Sequence, residues 1–171
     1  MAELNKGLDM EVYNGFKEKV LEDRTNADRD KTAVARWVQG EETRVVLGNN
    51  EVTLGADDGL SSMEMLLTSF AGCDAAMVAL HASFMGLKVK SVTVEVNGHY
   101  NVAAYLGIED VPGAGYDRMS TKVYIDAPDA TPEQVAYLKH ICEAGSPVGD
   151  SLTRPIPIEL EIVATAEQAE A

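Results

Sequence analysis

The sequence predicts an α+β domain built mainly on antiparallel sheet. Two observations carry that expectation. Strand signals arrive as neighbouring runs around tight turns rather than singly between helices, which favours hairpins over a doubly wound parallel sheet. The longest helical stretch, residues 62–85, is apolar on almost every side, so it belongs inside protein rather than on a surface. The full order reads α, β, β, β, α, β, β, α, β.

Residues 9–23 place Tyr13, Phe16 and Val20 near helical spacing, with Asp9 in the N-cap position. Gly15 weakens this helix, which reads as an element appended to the main domain. The polar run 24–31 reads as a linker. β-rich runs at 33–39 and 44–47 flank Gly40-Glu41-Glu42-Thr43, a hairpin signature, and 51–54 follows as a third short strand. After a loop at 55–61, Ser61 or Ser62 caps the long helix and Gly86 ends it.

Residues 88–96 alternate as a strand, 107–115 form a glycine-rich loop, and 119–125 form a further strand. Thr131-Pro132-Glu133 opens a second long helix with an N-cap, a proline in the first turn and an acid beside it. Ser146-Pro147 starts a short helical turn through Leu152. The run 157–163 is expected as a closing strand. The division that follows is 1–31 as helical extension and linker, 32–164 as one domain, and 165–171 as a frayed tail.

A chain of 171 residues, 46% hydrophobic and 25% charged, has ordinary globular composition. Its charge is less ordinary, with 28 acids against 14 bases and a formal charge of −14. A surface that negative repels phosphate backbones and anionic lipid heads, so neither nucleic acid nor membrane is an expected partner. The apolar stretch is interrupted by Glu64, Thr68, Ser69, Asp74, His81 and Ser83, which argues against a membrane span. No signal peptide is visible, and two cysteines without an export signal point to the cytoplasm, where thiols start reduced.

Cys73 lies mid-helix in Phe70-Ala71-Gly72-Cys73-Asp74, and Cys142 near the end of the second long helix. A lone cysteine in such a helix most often behaves as a small buried hydrophobe; acting as a nucleophile requires a thiolate and hence a nearby cation. The two are distant in sequence and form no CxxC, and His81, His99 and His140 are scattered. No metal site or cofactor is therefore expected. GxGxxG, Walker A, HExxH and GxSxG motifs are absent, which removes the common nucleotide, zinc-protease and serine-hydrolase readings.

Residues 62–73, Ser-Met-Glu-Met-Leu-Leu-Thr-Ser-Phe-Ala-Gly-Cys, resemble the first cysteine helix of the OsmC/Ohr family, whose pattern is roughly P-x-E-x-L-L-x-x-x-A-x-C. Ser146-Pro147-Val148 with Leu152 is similar to that family's second motif, C-P-V-x-x-x-L. The resemblance covers about 33–163. It implies an OsmC-like fold, with a mainly antiparallel sheet and two central helices, in an intertwined homodimer. It also implies a thiol-dependent peroxidase that reduces organic hydroperoxides; the alternative within the same fold is a non-catalytic dimer that binds a small apolar ligand or senses oxidation.

On this resemblance Cys73 takes the peroxidatic position. Arg44, with Arg36 second, takes that of the activating arginine, and Glu64 that of the glutamate holding it. Ser146 stands where the family has its resolving cysteine, which leaves resolution to Cys142, four residues earlier, or to an external thiol. Glu64 precedes Cys73 by nine residues where the family's glutamate precedes by ten, a difference of about 100° around a regular helix.

Overall fold

The computed structural model describes residues 8–111 and 113–163. The expected frayed tail at 165–171 lies outside the described residues. Helix α1 spans Met10–Glu22, with the Asp9 carboxylate accepting from the amides of Glu11 and Val12. The expected linker begins with a short 3-10 turn, Arg24–Ala27, capped by Asp23. Strands β1 (Ala33–Gln39), β2 (Glu42–Leu47) and β3 (Asn50–Leu54) form an antiparallel sheet in sequence order. Helix α2 (Ser62–Phe84) follows, then the antiparallel pair β4 (Ser91–Tyr100) and β5 (Tyr116–Asp126). Helices α3 (Pro132–Gly145) and α4 (Pro147–Thr153) complete the elements. The architecture is the expected mixture of helices and antiparallel sheet.

Local chemistry explains the helix ends. α2 opens with a capping box: Ser61 Oγ accepts from the Glu64 amide, while Glu64 Oε2 accepts from the Ser61 amide. α3 opens with the same device, Thr131 against Gln134. Gly86, at φ +69°, closes α2 in the left-handed region that glycine occupies without strain.

The core lies between α2, α3 and the inner face of β4–β5. Val78, Ala82, Leu87 and Leu138 are buried together, with Val92, Val123 and Ile125 packed against them. β4 shows the burial alternation of a sheet with one covered face. Gly98 on β4 sits where a Cβ would come within 2.5 Å of the Tyr116 ring, so that ring packs against the strand backbone there. From there the Tyr116 hydroxyl donates to the Met63 carbonyl and ties β5 to the start of α2.

Two features of coverage bear on these expectations. α2 is apolar on almost every side, and in the single chain only Asp74, Val78, Ala82 and Ser83 along it are buried. One two-stranded sheet and two helices cover one side of it, and the side bearing Gly72 and Ala76 stays open. By length and composition α2 is also apolar enough to cross a membrane. The expected closing strand at 157–163 is not a strand: it runs without a ladder partner. Strand structure needs a neighbouring edge, and among the described residues no strand pairs with this run. Ile158, Leu160 and Ile162 consequently stand 88%, 84% and 86% exposed. β1 is likewise exposed along its whole length, Trp37 included.

Candidate functional site

Cys73 sits half-buried on α2, facing the junction of α3 and α4. Ser146, which ends α3 and caps α4, is 1% exposed. Its hydroxyl donates to Cys73 Sγ at 3.5 Å and accepts from the Gly149 amide at 3.2 Å. The serine is thus fixed by the helix it caps, with its hydroxyl oxygen within hydrogen-bond reach of the sulfur. Gly149 belongs to this packing, because a Cβ there would lie 3.2 Å from both Phe70 and Ser146.

Asp74 is 2% exposed, and its Oδ1 has no hydrogen-bond partner. Such a group costs free energy where it stands, and its negative charge disfavours ionisation of a neighbouring acid. Cys142 is one of them. Burial, followed by the negative charges of Asp74 and Glu143 and by Cys73, pushes its thiol from 9.0 up to about 11. Cys142 is therefore a thiol, not a thiolate, at neutral pH. Phe70, Asp74, Val123, Leu138 and Cys142 contribute to the walls of a cavity of about 570 Å³ between α2, α3 and β5.

The structure brings Cys73, Ser146 and Cys142 into one neighbourhood. It places the other candidates elsewhere in the chain. Glu64 is engaged in the α2 capping box, and the Ser61 amide and hydroxyl hold its carboxyl below the ordinary range. Arg44 lies on β2, 3.8 Å from Glu42 and largely exposed. Arg36 is its cross-strand partner on β1. Among the described residues no hydrogen bond or ion pair joins either arginine to Cys73. Nor, among them, do three or more His, Cys, Asp or Glu side chains gather to hold a metal.

Two residues of the site were not legible as functional from sequence. Ser146 reads only as a missing cysteine; its hydroxyl becomes relevant once α4 is docked against α2. Asp74 follows Cys73 directly and so points about 100° away from it on a regular helix, but a carboxylate within an apolar helix is itself a signal of burial with consequences.

A family model described as OsmC-like protein matches residues 55–161. No curated protein matches the sequence. Among solved structures, an OsmC-like protein from Mycoplasma pneumoniae is similar with a TM-score of 0.62 at 16% identity, covering 73% of this chain and 88% of that one. An organic hydroperoxide resistance protein from Elizabethkingia anophelis gives 0.53 at 14%, covering 74% and 90%. An organic hydroperoxide resistance protein from Legionella pneumophila gives 0.52 at 11%, covering 74% and 91%. At these identities the likeness is one of fold.

Proposed function

The chain belongs to the OsmC-like protein family, and on that premise we propose that it is a thiol-dependent peroxidase reducing organic hydroperoxides at Cys73. The observation that carries this reading is the hydroxyl of Ser146 directed at Cys73 Sγ. A hydroxyl held there can donate a hydrogen bond to the sulfur or to an oxygen the sulfur takes up.

In the reaction the Cys73 thiolate attacks the terminal oxygen of the hydroperoxide. An S–O bond forms as the O–O bond breaks, and the departing alkoxide takes a proton to become an alcohol. Cys73 is oxidised to a sulfenic acid and the peroxide is reduced. An external thiol then attacks the Cys73 sulfur, releasing water and leaving a mixed disulfide, which a second thiol reduces. Cys142 is the alternative resolver. Its protonated state at neutral pH makes it the slower one, since the thiolate is the nucleophile.

The cation that activates Cys73 comes, in this reading, from a second copy of the chain. Homodimerisation is supported by the open side of α2, the exposed β1–β3 sheet and the unpaired apolar run ending the described chain. An intertwined arrangement would let the hairpin bring Arg44, or Arg36, to the opposite subunit's Cys73. A reducing cytoplasm would supply the external thiol.

A second reading is a dimer that binds a small apolar ligand without turnover. The 570 Å³ cavity and the engagement of Glu64 in its cap favour it. Peptide mass spectrometry after a single equivalent of cumene hydroperoxide separates the two. Peroxidase chemistry predicts added oxygen, a trapped mixed disulfide or a Cys73–Cys142 disulfide. A Cys73 that stays a thiol in excess peroxide rules that chemistry out.

A further inference from the structure

A second cavity, of about 480 Å³, lies where α1 meets the far end of α2. One face of α1 and the turn after it supplies Tyr13, Phe16, Lys17, Val20, Leu21 and Arg24, residues that recur at helical spacing. Leu80, His81 and Phe84 of α2, with Tyr137 of α3, form the opposite wall. This volume falls in the range of small-molecule sites.

The charge pattern selects the class of ligand. In a chain with 28 acids and 14 bases, the lining of this cavity includes two permanent cations and no carboxylate. Among the described residues neither Lys17 nor Arg24 forms an ion pair. The Lys17 ammonium instead lies 5.2 Å from the centre of the Phe84 ring, at the border between the charged and apolar parts of the lining. His81 is committed to the Tyr137 hydroxyl through Nδ1 at 3.2 Å. Burial and then the Lys17 charge lower its pKa, so it adds no cation at neutral pH.

We propose that this cavity binds a small amphipathic carboxylate. Its apolar or aromatic body packs between Phe16, Val20, Leu80 and Phe84, and its carboxylate meets Lys17 and the Arg24 guanidinium, whose fork matches a carboxylate in two parallel hydrogen bonds. The site is separate from Cys73: His81 lies eight residues further along α2, about 12 Å at helical rise. It also involves α1, which precedes the region that the family model matches.

Isothermal titration calorimetry on the full chain tests this, with phenylbutyrate as the probe and phenylbutanol as its neutral counterpart. The expected result is saturable binding of one phenylbutyrate per chain, with the alcohol weaker by about tenfold or more, as loss of a charge-assisted pair implies. Cys73→Ser should bind as the parent does, which keeps this site distinct from the proposed peroxide site. Lys17→Gln with Arg24→Gln should lose the same factor for phenylbutyrate while leaving the alcohol unchanged, with circular dichroism confirming that the helices persist. Charge reversal, Lys17→Glu with Arg24→Glu, should transfer preference to phenylbutylamine. The absence of saturable binding, equal affinity for acid and alcohol, or phenylbutyrate affinity indifferent to the double substitution would each overturn the proposal.

Discussion

Cys142 offers the sharpest quantitative test, because its environment sets a rate that can be measured directly. Burial and the charges of Asp74 and Glu143 move its thiol from 9.0 to about 11. Two decades in acidity leave about a hundredth of the ordinary thiolate at about pH 8, and alkylation follows the thiolate. Cys73→Ser leaves Cys142 as the sole thiol, so iodoacetamide labelling followed by intact mass reports on it alone. Cys73 is the last-named cause of the shift, so without it labelling at about pH 8 should approach a rate about a hundredfold slower than for a free thiol titrating at 9.0, and should still be rising beyond about pH 10. Restricted access would also slow labelling, but by the same factor at every pH, so the position of the inflection separates the two causes. Asp74→Asn removes the second contribution while leaving the first, burial, in place; it should move the inflection down without returning it to 9.0. An inflection at 9 or below in the Cys73→Ser chain would refute the reasoning. The same shift has a thermodynamic face. The folded chain holds the proton more tightly than the unfolded one, so this group leaves stability unchanged below about pH 9 and reduces it as the pH climbs toward 11.

Other expectations follow from packing and caps. Ser146→Ala removes both the α4 cap and the donor to Cys73; it should cost about 1 kcal/mol in denaturant unfolding and slow sulfenic-acid formation in stopped-flow assays. Leu138→Ala should cost about 2–5 kcal/mol, since Leu138 is 1% exposed in the core. Gly98→Ala forces the Tyr116 ring off the backbone and breaks its bond to Met63; a loss of about 1–3 kcal/mol is expected, and an unchanged melting temperature would contradict the contact. If the chain dimerises as proposed, its melting temperature should rise with protein concentration and light scattering should report twice the monomer mass; a stable monomer would oppose it.

The elements decided by neighbours in sequence were legible and those decided by distant or external partners were not. The Asp9 cap, the proline-led start of α3 and the Gly86 stop depend on a few adjacent residues, and each stands where local chemistry puts it. The alternation at 157–163 is equally clear in the sequence, but alternation specifies which face a strand would bury and says nothing of whose edge it joins. The apolar character of α2 indicated burial on every side, more than the one chain provides. At the site, Cys73 stood out through its motif. The hydroxyl of Ser146 is aimed by the docking of α4 on α2, a tertiary fact that no local pattern encodes. The candidate role of Arg36 and Arg44 follows from their hairpin position, and in the fold the two face each other across β1 and β2. Two like charges so placed repel unless an anion lies between them or solvent screens them.

Asp74 bears on where α2 can be placed during synthesis. By length and composition alone the helix could cross a membrane. A carboxylate near the middle of such a segment raises the cost of lateral release into lipid by about 2.5–3.5 kcal/mol on insertion-based scales. One acid at this position therefore disfavours lipid for this segment, and in the folded chain the same carboxylate is buried with no hydrogen-bond partner on Oδ1. Asp74→Leu would remove the penalty and hand the segment to the bilayer on more equal terms.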